Sequence, residues 1–180
     1  MAEIKNCDDI YAKANNYLDI SEYDSAFKSF FKLAKNGHIY AQDTLGYLYL
    51  NGYGTSVSIE NAITWWKKAS KNNSTYAQFQ LGCLYIRENK ISKGLELLEV
   101  AKKNNSADAM HLLAGYMYAG KYYVQNKDEA IVLLNKAVLL GHEEAAKDLM
   151  KLTLFESGRW KTFLKGLRLS WKIIINKLKL

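Results

Sequence analysis

The sequence predicts an all-α fold, namely an α/α superhelical solenoid of antiparallel helix pairs. The chain of 180 residues contains no proline and only 11 glycines, which disfavours turn-rich β-architectures and favours long helices. Its 49% hydrophobic content is enough to build a folded core and excludes a disordered chain. The third observation is an internal repeat that covers most of the chain.

Two sequence blocks recur along the chain. Residues 41–49 (AQDTLGYLY) return as 77–85 (AQFQLGCLY) and, more loosely, as 109–117 (AMHLLAGYM), while 62–69 (AITWWKKA) return as 130–137 (AIVLLNKA). Regular repetition is typical of stacked supersecondary units that bury a shared core. The spacing predicts a solenoid over residues 1–157, with units near 9–40, 41–76, 77–108 and 109–144 and a half unit at 145–157.

Each unit has the apolar periodicity of two helices. Ala41, Leu45 and Leu48 recur at the spacing of one face of a helix, and Ala62 and Trp66 do the same in the second half of the unit. Alanine and glycine at the recurring positions allow helices to cross closely, and leucine or aromatic side chains fill the remaining space. A single helix pair cannot bury its apolar face, so neighbouring units must stack.

Several polar residues are typical of helix starts. Ser21 and Asn126 each stand three residues before an acid, which predicts a capping side chain at both positions. The acidic pairs 8–9 and 143–144 are expected to begin helices, where the helix dipole favours negative charge. His38 and His142 lie in equivalent links between units, and we expect them to cap a helix end or pack in the turn.

These patterns resemble the Sel-one-like repeat, a relative of the tetratricopeptide repeat. The resemblance rests on A-x-x-x-L-G-x-x-Y in residues 41–49, on the G-x-G of Gly52 and Gly54, on A-x-x-W-W-x-K-A in residues 62–69, and on the histidine link. It covers about residues 9–150. The resemblance implies an α/α superhelix that serves as a non-enzymatic scaffold or adaptor between proteins, often in bacterial envelope, virulence or signalling assemblies.

The sequence offers little from which to assemble an enzyme. His111 has no acid or cysteine at metal-ligand spacing, and neither H-E-x-x-H nor a phosphate-binding glycine loop occurs. Cys7 and Cys83 lie far apart and are interpreted as free thiols. We therefore predict no catalytic residue, no metal, no cofactor and no small-molecule substrate.

A binding groove is the more favoured site. In helix-pair solenoids the first helices of successive units line the concave face, so positions two and six after each unit start are expected to face it. Aromatic side chains there would supply the hot spots of a protein interface, although packing against the neighbouring unit is the competing interpretation. The predicted groove residues are Tyr11, Asn15, Asp43, Tyr47, Phe79, Cys83 and His111.

The formal charge of +7 lies entirely in the C-terminal segment. Residues 151–180 contain eight of the 25 Lys and Arg and one of the 18 acids. Residues 158–180 combine an apolar stripe with a basic face, which predicts an amphipathic helix. Three roles remain open: a cap on the last unit, an anchor on an anionic membrane surface, and nucleic-acid binding. The predicted membrane-facing residues are Trp160, Lys161, Phe163, Leu164, Lys165, Arg168, Trp171 and Lys172.

The sequence thus predicts a cytoplasmic scaffold that binds another protein in its groove and that the tail can hold at the inner face of a membrane. An immunity or inhibitor protein that neutralises a toxin by tight binding is the main alternative. A nucleic-acid-associated adaptor is a second alternative, with nucleic acid the less favoured partner. The start of the chain lacks the apolar run of a secretory signal peptide, and no segment is long and apolar enough to span a bilayer.

Overall fold

The fold was described from a computed structural model, which places residues 2–152, with side chains described from Cys7 onward. The predicted basic helix at 158–180 lies outside these residues. Residues 2–152 are helical apart from short connections. The helices are α1 (Ala2–Asp19), α2 (Tyr23–Lys35), α3 (Ile39–Asn51), α4 (Ile59–Lys71), α5 (Thr75–Arg87), α6 (Ile91–Lys103), α7 (Ala107–Ala119), α8 (Lys127–Leu139) and α9 (Glu143–Lys151).

The helices pack in chain order within two compact units. In the first unit, residues 1–109, the main packing pairs are α1 with α2, α3 with α4 and α5 with α6, and α2–α3 and α4–α5 packing joins successive pairs. In the second unit, which begins at Met110 and is described to residue 152, α8 packs against α9. This arrangement of helix pairs confirms the predicted all-α solenoid class over the described residues.

The core of the first unit consists of the recurring small and apolar residues. Ala41, Leu45 and Leu48 are completely buried beside α2, and Trp66 is the largest of the fully buried side chains among the described residues. Ala77 also packs beside Trp66. The apolar periodicity therefore marked the buried faces of α3, α4 and α5, because a 3.6-residue repeat places such residues on one side of a helix.

Histidine and serine side chains cap several helices, at places fixed by the repeat. The Nδ1 atoms of His38 and His142 accept hydrogen bonds at 3.1 Å from the backbone N–H groups of Ala41 and Ala145. Ser74 Oγ does the same for Ala77 at the start of α5. The expected capping role of both histidines is confirmed, since each satisfies a backbone donor that the first helical turn leaves without a partner.

The cap prediction is confirmed at one of its two sites. Asn126 accepts a hydrogen bond from the backbone N–H of Glu129 at 3.1 Å and donates to its carboxylate, forming a reciprocal capping pair. The prediction that Ser21 caps a helix was wrong. Ser21 adopts a left-handed φ of 61°, and α2 begins after Glu22 without a side-chain cap. Ser21 corresponds in the repeat to Asn89, which has the same left-handed φ of 61°.

The prediction that both acidic pairs begin helices was confirmed for one pair and wrong for the other. Glu143 and Glu144 occupy the first turn of α9, as predicted from the helix dipole. The pair at 8–9 does not begin a helix, because α1 already starts at Ala2. Asp8 and Asp9 lie on the exposed side of α1 instead, and two consecutive acids alone do not distinguish a helix start from an exposed helix face.

The G-x-G segment forms the turn between α3 and α4. Gly52 ends α3 in the left-handed region with φ of 73°, and Gly54 follows with φ of 66°. A Cβ atom on Gly54 would lie 2.1 Å from the backbone oxygen of Tyr23. Only glycine combines this backbone conformation with so close an approach of α2.

Candidate partner-binding cavity

A cavity of about 550 Å³ lies in the first unit among α1, α3, the α4–α5 link and the start of α5. We call it the tyrosine cavity, because four tyrosines take part in its wall. Its volume falls in the range typical of ligand-binding clefts. The described lining residues are Tyr11, Ile39, Tyr40, Asp43, Thr44, Tyr47, Asn72, Asn73, Ser74, Thr75 and Tyr76.

The tyrosine cavity collects three of the seven residues predicted for the groove, namely Tyr11, Asp43 and Tyr47. The other four predicted residues do not line it. Asn15, Phe79 and Cys83 are partly buried elsewhere in the first unit, and His111 lies in the second unit.

Two of the most accessible tyrosines of this cavity were missed by the sequence argument. Tyr40 is 68% exposed and Tyr76 is 37% exposed. Each immediately precedes a unit start, so they are equivalent positions 36 residues apart. The recurrence of tyrosine at this position was the sequence signal that could have indicated both residues. The groove prediction considered only positions two and six after each unit start, and neighbouring residues on a helix differ by about 100° in direction.

Asp43 is the one acid among the described lining residues, and it is held firmly in place. Its carboxylate accepts a hydrogen bond from Ser74 Oγ, which lies 2.8 Å from Oδ1 and 2.7 Å from Oδ2. Its backbone oxygen accepts a hydrogen bond at 3.1 Å from Nε1 of Trp66. The side chain therefore joins the first helix of one repeat to the capping serine of the next.

Burial governs the protonation of Asp43. Removal of the carboxylate from water raises its pKa from 3.8 to about 6, and the Ser74 hydrogen bond opposes this shift. Burial also raises the pKa of Tyr76, and the nearby Asp43 charge adds to the effect. For Tyr47, burial is again the first cause of a raised pKa, followed by Tyr53. At neutral pH both phenols remain protonated hydrogen-bond donors beside the carboxylate.

Asp43 is expected to make the protein less stable as the pH rises from about 4 to 7. The group is protonated in both states below 3.8, but above about 6 the folded state must keep a buried charge. Linkage predicts a loss of about 2 kcal/mol across this window after allowance for solvent screening. Urea unfolding of the parent and Asp43→Asn at pH 4, 5, 6 and 7 measures this difference.

The comparison with Asp43→Asn removes the contribution of Asp148, whose pKa is lowered by its hydrogen bond to His111 and by Lys151. That group acts in the opposite direction, since its contribution is lost as the pH falls. Parallel pH profiles for the parent and Asp43→Asn would show that Asp43 ionises without cost.

The second unit places His111 in a separate polar cluster. His111 Nε2 lies 2.9 Å from Asp148 Oδ2, and the His111 ring is 4.6 Å from the ring of His142. His111 and Asp148, with Ala114, Gly115, Tyr118 and others, border a cavity of about 220 Å³. The contact joins α7 to α9, so it contributes to packing within this unit.

Two cysteines lie among the described residues, and neither is in a disulfide. Burial raises the pKa of Cys83 to about 11, so it remains a thiol at neutral pH and is a poor nucleophile. Cys7 and Cys83 are free cysteines, as predicted. Within residues 7–152, no group of three His, Cys, Asp or Glu side chains has the geometry of a metal site.

No helix in the described part of the chain is long and apolar enough to cross a bilayer. The eight residues predicted to face a membrane, from Trp160 to Lys172, lie beyond the residues that the structure describes. Their role as a cap, a membrane anchor or a nucleic-acid contact stays a prediction.

Repeated helix pairs, capped at equivalent positions, define this protein as an α/α repeat protein. Comparison with protein families gives a match to the Sel1 repeat at residues 39–74, 75–106 and 107–142. These matches cover more than half of the chain, and they begin where α3, α5 and α7 begin. The chain belongs to the Sel1 repeat family, and the resemblance predicted from its sequence is confirmed.

Solved structures share this fold. A Sel1 repeat protein from Oxalobacter formigenes is 22% identical with a TM-score of 0.65, covering 72% of this chain and 54% of its own. A protective antigen of uropathogenic Escherichia coli with an SLR fold is 26% identical with a TM-score of 0.63, covering 73% of this chain and 29% of its own. This chain thus spans about half of the first protein and less than a third of the second. Comparison with curated proteins finds no match.

Repeats of this family have a typical role in the proteins that contain them. Sel1 repeats generally mediate protein–protein interaction, and proteins built from them are typically non-enzymatic scaffolds. A fold by itself specifies no partner, since partners are selected by the residues that a fold displays.

Proposed function

We propose that this chain is an interaction scaffold that binds a segment of a partner protein in the tyrosine cavity. The single observation that carries the proposal is the cavity itself, a space of about 550 Å³ bordered by accessible tyrosines from successive repeats. Tyr40, Tyr47 and Tyr76 are 68%, 40% and 37% exposed in the free chain. Accessible tyrosines around a concavity are typical of interface hot spots, because each ring offers a large contact area and a polar hydroxyl.

The tyrosines are also held in position before a partner arrives. The ring of Tyr47 lies 5.9 Å from that of Tyr53, which in turn stacks on Tyr23 at 4.5 Å. Tyr11 of α1 stacks on His38 at 4.8 Å, and the capping role of His38 fixes that imidazole. Side chains that are already ordered lose little conformational entropy on binding, so more of the contact energy contributes to affinity.

Three predictions from the sequence concern roles other than binding in this cavity. Attachment to an anionic membrane through residues 158–180 remains a prediction based on the amphipathic pattern of that segment. Action as an immunity protein and association with nucleic acid remain alternative predictions from the sequence. None of them is required for the cavity to bind a protein segment.

The replacement Tyr47→Ala is expected to weaken binding at least about tenfold for peptides selected to bind the chain, as is typical for loss of an interface hot spot. The peptides come from a random library displayed on phage, are synthesised, and are titrated against the full chain by fluorescence anisotropy. Tyr122→Ala is the matched control, because Tyr122 has the same 40% exposed fraction but lies in the second unit.

Equal affinity of the parent and Tyr47→Ala for every selected peptide would contradict the proposal. Circular dichroism at 222 nm accompanies each titration, because Tyr47 lies on α3 and a loss of helix would explain weak binding without any contact. An unchanged helical signal with reduced affinity in Tyr47→Ala, and normal affinity in Tyr122→Ala, is the expected combination.

A further inference from the structure

We propose that the tyrosine cavity recognises a positively charged side chain, so that a lysine or arginine of the partner enters between the tyrosines and pairs with Asp43. This inference rests on the proposed function and adds the chemistry of the ligand. The cavity wall contains one acid and, among its described residues, no lysine, arginine or histidine. The cavity therefore has a net negative wall, although residues 1–150 as a whole carry no net charge.

The carboxylate of Asp43 retains unused acceptor capacity. An ionised carboxylate offers about four acceptor sites, whereas the Ser74 hydroxyl has a single hydrogen and bonds one of the two oxygens at a time. Within residues 7–152 no ion pair connects Asp43 to a basic side chain. The residue as a whole is 8% exposed and lines the cavity, so a further donor reaches its carboxylate from the cavity side. A cation from outside supplies the missing donors and charge.

The surrounding tyrosines suit the same ligand. A tyrosine ring is negative on its face and attracts an ammonium or guanidinium group that lies over it. Tyr76 and Tyr47 stand near Asp43, and Asp43 contributes to the raised pKa of Tyr76. The methylene chain of a lysine or arginine would pack along these rings while its charged end reaches the carboxylate. An acidic segment would instead be repelled by Asp43.

The ionisation of Asp43 couples binding to pH. The pKa of about 6 in the free protein means that the carboxylate is ionised at pH 7.5 and mostly protonated at pH 5. A cation stabilises the ionised form only, so its affinity is expected to fall about tenfold between these two values. A neutral ligand has no such dependence.

The test titrates the full chain with two small probes and records backbone amide signals by NMR. Nα-acetyl-lysinamide carries the ammonium group, and Nα-acetyl-norleucinamide has a similar aliphatic chain without it. At pH 7.5 the lysine probe is expected to shift the amides of Thr44, Ser74 and Tyr76, and the norleucine probe is expected to leave them unchanged. The amide of Tyr122 in the second unit serves as an internal reference.

Charge removal at Asp43 provides the matched variant. Asp43→Asn keeps the shape of the side chain and an oxygen for Ser74, and we expect it to bind the lysine probe at least tenfold more weakly. Asp24→Asn removes an exposed acid of α2 in the same unit and is expected to bind as the parent does. The comparison of pH 5 with pH 7.5 uses the unchanged protein, so it stands even if the variant folds poorly.

Each outcome decides the inference. Equal shifts with both probes, undiminished binding to Asp43→Asn, or equal affinity at the two pH values would overturn it. Its failure is distinguishable from failure of the proposed function. If selected peptides still require Tyr47 but bind equally to Asp43→Asn, the cavity binds protein without recognising charge. If peptides do not require Tyr47, the cavity itself is not the binding site.

Discussion

Replacement of Trp66 by alanine is expected to lower the free energy of unfolding by about 4 kcal/mol, in the range typical of large aromatic residues removed from a core. Trp66 is 1% exposed and packs in a cluster with Ala62, Ala69, Ala77 and Leu81. Its indole N–H also donates to the backbone oxygen of Asp43. The alanine variant loses this buried apolar surface, leaves a cavity, and deprives the Asp43 carbonyl of a donor.

Urea unfolding followed by circular dichroism measures the change, and Trp66→Phe is the graded control. Phenylalanine retains most of the apolar contact but removes the N–H group, so we expect about half of the alanine effect. This variant also remains measurable if Trp66→Ala does not fold. A loss below about 1 kcal/mol for Trp66→Ala would mean that the repeats repack around the missing ring.

The sequence predicted the features of this fold that depend on local periodicity. The burial of Ala41, Leu45 and Leu48 follows from their helical spacing, and the capping by His38 and His142 follows from their equivalent places in the repeat. Both depend on a few consecutive residues and recur in several units. Repetition supplies independent examples of one local environment, which is why these predictions succeeded.

Turn conformation was harder to predict than helix content. Serine is a residue type that commonly caps helices, yet the backbone of Ser21 adopts the left-handed conformation found in the connections between helices. The repeat indicates the left-handed conformation at this position, because Ser21 aligns with Asn89 and asparagine is common in that conformation. The choice between a cap and a left-handed link depends on how the chain passes between two packed helices, and a four-residue pattern does not record this.

The candidate site was predicted only in part for a related reason. Tyr47 and Asp43 lie on one helix at a spacing of four, so their shared direction follows from sequence. Tyr40 and Tyr76 reach the cavity because α3 and α5 are brought together by packing of the intervening helix. Neither the rotation of these helices nor the raised pKa of Asp43 is encoded in local spacing.

Alanine substitutions at two helical glycines are expected to change stability in opposite directions. Gly46→Ala should lower the free energy of unfolding by about 2–3 kcal/mol, whereas Gly115→Ala should raise it by about 1 kcal/mol. Both glycines lie inside helices, α3 and α7, so the intrinsic gain in helix propensity is the same for each. The contrast therefore isolates the packing of the new methyl group.

A Cβ atom on Gly46 would lie 2.4 Å from Nε1 and 2.6 Å from Cδ1 of Trp66, far inside contact distance. The ring has little room to move, because it is buried and its N–H group is bonded to the Asp43 oxygen. By contrast, nothing lies within 4 Å of the corresponding position on Gly115. The overpacking cost exceeds the propensity gain only at Gly46.

Urea midpoints and slopes for the parent and both variants measure the two effects, with the slope checking that each variant unfolds as the parent does. If Gly46→Ala proved as stable as Gly115→Ala, the crossing of α3 over Trp66 would have to be looser than the structure shows.

The expected loss at Gly46 also affects the binding site. Trp66 contacts the backbone of Asp43, so displacement of its ring by a methyl group at position 46 should also disturb the wall of the tyrosine cavity and weaken peptide binding.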